Sequence, residues 1–158
     1  MNNILFICLG NICRSPLAEG FLRHHVELNR LGDQFQVDSA GTGNWHVGNP
    51  PDSRAVRAAA ELGVDIAGLR ARQIHTRDFD RFDHVIAMDQ DNLRDLQYLG
   101  NEFTGDFKLD LLANMLEDPG FVDVPDPWYG NYHDFQAVAQ QLDSACCALL
   151  EKLLQDGR

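Results

Sequence analysis

From Asn3 to Cys8 the chain reads Asn-Ile-Leu-Phe-Ile-Cys, apolar at every position after the first. An unbroken apolar run of this kind predicts a strand buried on both faces, as in a parallel sheet. At Ser15-Pro16 the period changes. Leu17, Phe21 and Leu28, with Leu22 and Val26 beside them, form a stripe at helical spacing. Ser15 reads as the N-cap and Pro16 as the first helical residue, with Gly32 and Asp33 closing the helix. Gln34 to Ala40 alternates and predicts a second strand. Gly41 to Pro51 holds three glycines, two prolines and Trp45, and reads as a surface loop. Asp52 then caps a helix to about Leu62, stopped by Gly63. His84 to Met88 is a short apolar strand, Asp89 to Leu99 a following helix, and Lys108 to Ala113 a last strand. Asn114 to Gly130 carries Pro119, Pro125 and Pro127 and predicts a long loop, a feature that is usually functional. The closing helix, about Phe135 to Leu154, is apolar at positions 135, 138, 142, 145, 149 and 153.

Strand and helix thus alternate, with no repeat, low-complexity tract or linker. The pattern predicts one α/β domain over residues 1–158: a four-stranded parallel sheet flanked by helices on both faces. Ligands of such sheets bind at the carboxyl ends of the strands, so the turn after the first strand is the place to look. A chain of 158 residues can bury a sufficient core without disulfides or metals. The run Ile4 to Leu9 is far short of the roughly 20 residues a membrane helix needs. The start has no basic n-region and no small-residue cleavage site, so a cytoplasmic protein away from membranes is expected. The 13 basic against 24 acidic residues give a net charge of −11. With two lysines there is no basic stripe to displace counterions, which argues against a nucleic-acid partner. Cys8, Cys13, Cys146 and Cys147 read as thiols of a reducing compartment rather than staples. No spacing suits a metal, no cofactor is implied, and a monomer or weak homo-oligomer is expected.

The first strand-to-helix turn reads Cys8-Leu9-Gly10-Asn11-Ile12-Cys13-Arg14-Ser15-Pro16. As a bare pattern, Cys-x5-Arg-Ser is weak, and its position makes it strong. Cys8 ends a buried strand, Gly10 and Asn11 tolerate left-handed backbone, and Ser15-Pro16 opens a helix. Backbone N–H groups from Leu9 to Ser15 can then curl round one tetrahedral anion, a nest at a helix N-terminus. The same field favours the thiolate of a cysteine at its centre. Arg14 offers a planar fork to phosphoryl oxygens, and the Ser15 hydroxyl can hydrogen-bond the Cys8 sulfur. A buried apolar Cys8 and a solvated Arg14 would be the plain alternative for an isolated cysteine.

These residues resemble the low-molecular-weight protein tyrosine phosphatases. The loop from Cys8 to Pro16 stands as that family writes it. The resemblance continues through Asp38-Ser39-Ala40-Gly41-Thr42, Gly48-Asn49-Pro50-Pro51-Asp52, Ala71-Arg72-Gln73, Asp78-Phe79, Ala87-Met88-Asp89, Asn92-Leu93-Arg94-Asp95-Leu96 and Pro125-Asp126-Pro127-Trp128-Tyr129-Gly130. It implies a phosphotyrosine-containing protein as substrate and a cysteinyl-phosphate intermediate. Cys8 is then the nucleophile, Arg14 the phosphoryl clamp and Ser15 the thiolate partner.

Cleaving an ester also needs a proton for the departing oxygen. The proline-rich loop offers Asp118, Asp123 and Asp126, of which Asp126 is flanked by two prolines and followed by two aromatics. The resemblance selects Asp126 as the acid and then the base. It also implies that Trp45, Trp128 and Tyr129 wall a cleft for an aryl ring, although aromatics capping the core would leave the same pattern. Ile12 stands where phosphoarginine-specific relatives carry Thr, which points to phosphotyrosine. Asn11 and Ser39 match a network that supports the loop. Two positions depart from the family: Trp128 replaces a usual Tyr, and Leu69 stands where many relatives have His. Cys13 is by resemblance a redox partner of Cys8 and by its surroundings equally a small packing residue.

A nucleotide P-loop is excluded by the missing G-x-x-x-x-G-K-[ST] pattern, and nothing places a histidine beside Cys8 as a Cys-His protease requires. An arsenate reductase on the same scaffold would need further cysteines in mid-chain, and none occurs between Cys13 and Cys146. A non-catalytic phosphate or phosphotyrosine binder would be expected to lack Cys8, Arg14 or Asp126, and all three are present.

Overall fold

A computed structural model describes residues 1–101, 105 and 107–157. Four strands, β1 (Asn2–Cys8), β2 (Phe35–Gly41), β3 (His84–Ala87) and β4 (Lys108–Leu111), pair in the order β2-β1-β3-β4, all parallel. The helices are α1 (Arg14–Leu28), α2 (Ser53–Glu61), α3 (Asp78–Arg81), α4 (Gln90–Leu99) and α5 (Tyr132–Asp156), with 3-10 turns at Ala113–Met115 and Pro127–Tyr129. None of the described helices is long and apolar enough to cross a membrane.

The apolar run of β1 is explained by its central place. Successive side chains alternate between faces. Ile4, Phe6 and Cys8 therefore enter a core built with α1, α2 and α5, whereas Leu5 and Ile7 enter a second core with Phe79 of α3 and Leu96 of α4. Both sides must be apolar, and each fully buried Leu, Ile or Phe contributes about 2 kcal/mol. The connection from β1 moves to one side for β2 and the next moves to the other side for β3. That reversal opens a crevice at the carboxyl end of β1, the switch point where open α/β sheets hold ligands.

Several boundaries differ from the pattern-based reading. Helix α1 begins at Arg14, with Cys13 as a cap that makes no side-chain bond, so Ser15 is not the N-cap and Pro16 is its third residue. The serine hydroxyl is used elsewhere, and a proline in the first turn sacrifices only an N–H without a helical partner. The helix ends at Leu28, before Gly32, because Arg30 turns left-handed (φ 57°) and the Leu31 N–H returns to the Val26 carbonyl. Leu28 is 66% exposed and so lies off the stripe. Helix α3 went unforeseen, since four residues carry no period. The last strand stops at Leu111, and the long loop contains both 3-10 turns. By contrast Asp52 caps α2, Gly63 follows it at φ 81°, and all six predicted stripe residues of α5 are buried.

Candidate active site

At both ends of the loop from Cys8 to Cys13 the carbonyls are held outward. Those of Cys8, Leu9, Ile12 and Cys13 accept from the amides of Thr42, Gly43, Asp52 and Leu17 at 3.0, 2.9, 2.8 and 3.2 Å. The amides of Gly10, Asn11, Ile12 and Cys13 find no acceptor among the described residues. A peptide group whose carbonyl is held outside presents its N–H inside, so the loop forms a ring of donors suited to a tetrahedral anion. Asn11 makes the bend in left-handed backbone at φ 56°. Gly41 makes room for it: a Cβ there would lie 2.7 Å from the Leu9 carbonyl oxygen and 3.2 Å from the Asn11 nitrogen.

Within the ring the Cys8 sulfur lies 3.0 Å from Ser15 Oγ, and Cys8 is almost wholly buried. The direction of that bond follows from the next ones. Asn11 Oδ1 accepts the Arg72 backbone N–H at 3.0 Å, which fixes the amide's orientation and turns Nδ2 toward Ser15 Oγ (2.8 Å) and Ser39 Oγ (2.9 Å). Ser15 Oγ thus accepts from Asn11 and has its own proton left for sulfur. Ser39 in turn donates to Glu19 Oε1 at 2.6 Å, and Glu19 pairs with Arg23. Burial holds the Glu19 carboxyl above its ordinary range despite both partners. Leu69 packs on the core, so the network closes without a side chain from position 69.

Arg14, at the start of α1, is 3% exposed and lines the same cleft as Cys8. Its Nη1 donates to Asp89 Oδ2 at 2.5 Å and to the Val124 carbonyl at 3.0 Å, while Nη2 stands 3.6 Å from Asp126 Oδ2. Burial opposes the guanidinium charge, but Cys8, Asp89 and Asp126 outweigh it and raise its pKa further. Asp126 keeps 34% of its side chain exposed and takes the Trp128 N–H on Oδ1 at 3.1 Å. Of the other two candidate acids, Asp123 accepts the Gln90 amide at the start of α4 and Asp118 lies in left-handed backbone (φ 45°). Neither lines the cleft over Cys8.

That cleft measures about 290 Å³ and brings together Cys8, Ile12, Arg14 and Asp126 with Trp45, Trp128 and Tyr129. The three aromatics are 69%, 39% and 90% exposed, so they form the rim rather than cap the core. Cys13 also lines the cleft. Its own burial, then the charges of Cys8, Asp52 and Asp126, push its pKa well above that of a free thiol. Cys146 is buried in the core and Cys147 is exposed, away from the site.

Residues 3–158 match the model of the low molecular weight phosphotyrosine protein phosphatases. The chain belongs to that family. It is 42% identical to the low molecular weight phosphotyrosine protein phosphatase of Sus scrofa, over 96% of this chain and 95% of the other. It is 38% identical to the Bacillus subtilis low molecular weight protein-tyrosine-phosphatase YfkJ over 99% and 98% of the two chains, and the YfkJ crystal structure superposes with a TM-score of 0.90. A protein tyrosine phosphatase of Entamoeba histolytica, solved with Hepes in its active site, superposes with a TM-score of 0.92 at 33% identity, covering all of both chains.

In this phosphatase, sequence reading passed over several residues that the fold brings to the site. Asp89 sits in a matched motif, yet its partnership with Arg14 spans 75 positions and leaves no local trace. An aspartate at the carboxyl end of a strand that also caps the next helix was the available signal. Arg72, braced by Asp38 and Asp78, carries the amide that orients Asn11. His46 lines the cleft and meets Trp128 at 5.7 Å between ring centroids. Arg54 of α2 stacks over Phe135 (4.3 Å) and donates to the carbonyls of Trp128 (3.4 Å) and Gly130 (3.3 Å).

Proposed function

We propose that the protein hydrolyses phosphotyrosine in protein substrates, and small aryl phosphates, through a cysteinyl-phosphate intermediate with Cys8 as nucleophile. The observation that carries this reading is the sulfur of Cys8, hydrogen-bonded by Ser15, at the base of a ring of amides that find no acceptor among the described residues, with Arg14 and Asp126 in the same cleft.

The Cys8 thiolate attacks phosphorus as the S–P bond forms and the bond to the phenolic oxygen breaks. The amides of Leu9 to Ser15, together with Arg14, hold the oxygens that gather charge, acting where the charge develops. Arg14 keeps its orientation because Asp89 and Val124 hold Nη1 and leave Nε and Nη2 for phosphate. Asp126 gives its proton to the leaving phenol. As carboxylate it then takes a proton from the water that attacks phosphorus, and sulfur departs toward the Ser15 hydroxyl. A floor this deep, under Trp45, Trp128 and Tyr129, suits an aryl phosphate, since a serine phosphate is too short to reach Cys8. Ile12 contributes an apolar patch to the wall.

The chemistry requires Cys8 reduced, which suits the cytoplasm. Under peroxide the Cys8 thiolate becomes a sulfenic acid, and the Cys13 thiol displaces water from it to form a disulfide that protects the nucleophile. No metal or cofactor takes part in the proposed steps. Monomer or weak homo-oligomer is the assembly proposed, with neither nucleic acid nor membrane as partner.

The test is hydrolysis of p-nitrophenyl phosphate with EDTA present. Turnover is expected to survive the chelator, to vanish in Cys8→Ser, and to fall about a hundredfold in Asp126→Ala. Binding of phosphate without turnover by the native protein would make it a binding module instead.

A further inference from the structure

Beside the cleft lies a second, shallower groove of about 320 Å³, and the two share a wall, since Leu9 and Trp45 line both. The floor of this groove is rigidly tied to the phosphate loop. The backbone amides of Thr42 and Gly43 donate to the carbonyls of Cys8 and Leu9, and the side chain of Gln73 donates to the Thr42 carbonyl at 3.1 Å. Trp45 lies directly on that floor, for a Cβ added to Gly43 would fall 1.9 Å from an indole carbon. The far side is the last turn of α4, where Tyr98 is 87% and Leu99 39% exposed. Asp95, one turn earlier, is the one charged side chain among the described residues that line the groove.

Isolated exposed aromatics are ordinary, but a set that surrounds one hollow and adjoins a binding cleft marks an interaction site. We infer that this groove receives an apolar side chain of the substrate, from a residue within two positions of the phosphotyrosine. The inference rests on the phosphatase reading above. Continuity with the cleft argues for the substrate's own chain as occupant, because an extended segment advances only about 3.3 Å per residue and its next side chains emerge beside the bound ring. Charge argues the same way. Asp95 and the net charge of −11 disfavour acidic flanks and also disfavour a second copy of this chain. Because the floor is tied to Cys8 and Leu9, the groove stands in fixed register with the nucleophile, so it can select among phosphotyrosyl sites.

The experiment compares phosphotyrosyl peptides that carry Leu, Ala or Glu in turn at each of the two positions on either side of the phosphotyrosine. Native protein and a Tyr98→Ser/Leu99→Ser double variant are assayed on each peptide and on p-nitrophenyl phosphate. At one or more of these positions Leu is expected to raise kcat/KM over Ala by about tenfold, mostly through KM, and Glu to lower it. In the double variant that preference should disappear while turnover of p-nitrophenyl phosphate is unchanged, which also shows that the variant is folded. Peptides hydrolysed alike by the native protein, or a Leu preference that persists in the double variant, would overturn the inference and leave the phosphatase reading standing. Failure of the native protein to hydrolyse any phosphotyrosyl peptide would bring down both.

Discussion

The proton on Ser15 Oγ has one place to go, and a side chain four residues earlier decides it. Asn11 donates to that oxygen, and the Arg72 backbone amide keeps Asn11 from turning over. Without Asn11 the hydroxyl could rotate and accept from another group, and the sulfur would lose a donor that matters most when it carries charge. A hydrogen bond to an ionised partner is worth about 1.5–3 kcal/mol, so Ser15→Ala should lower kcat on p-nitrophenyl phosphate by roughly ten- to a hundredfold. Asn11→Ala should lower it comparably. Because one acts through the other, adding Asn11→Ala to Ser15→Ala should cost little more. Steady-state kinetics of the two single variants and the double variant test this, and losses that simply multiply would show that Asn11 works by another route.

Helix α2 joins the two loops that meet at the cleft over Cys8. At its cap the Asp52 amide holds the Ile12 carbonyl of the phosphate loop. In its first turn Arg54 pairs with Asp52 and reaches the carbonyls of Trp128 and Gly130, just past Asp126. Burial would raise the Asp52 carboxyl, but the Arg54 bonds prevail and hold it below its usual range. Truncating Arg54 would free the 3-10 turn behind Asp126, the proposed acid, and leave the loop after Cys8 in place. Arg54→Ala should therefore slow phenyl phosphate, whose leaving group needs a proton, by about tenfold, and slow p-nitrophenyl phosphate much less. Equal slowing of both substrates would exclude a role through Asp126. Such links also mark what sequence could and could not reveal. Strand β1, the cap of α2 and the stripe of α5 were visible because local periodicity and capping chemistry determine them. The Cys8 to Ser15 loop was visible because its donors are contiguous. Arg54, Asp89 and Arg72 were not, since their partners lie 74, 75 and 61 positions away. Ser15 misled for the opposite reason: a strong local preference for capping was overridden by a sulfur seven residues back.

Stability belongs to the whole sheet, and one of its inner strands carries a titratable group at a cost. His84 opens β3 and pairs in register with Ile4 of β1 on one side and Lys108 of β4 on the other. Burial, reinforced by the Lys108 charge, lowers its pKa, and Asp83 beside it and Asp156 at the end of α5 offset this only in part. Its Nδ1 is buried without a partner among the described residues. The folded pKa thus lies below that of the unfolded chain. Above about pH 6.5 both states hold the ring neutral and pH has no leverage through it. As pH falls through that value the unfolded chain takes up the proton first, so folding loses stability until the folded pKa is reached. Urea unfolding between pH 7.5 and 5 should show a declining midpoint for the native protein and a flatter one for His84→Gln. Parallel curves for the two proteins would mean that His84 is charged as readily inside the fold as outside it.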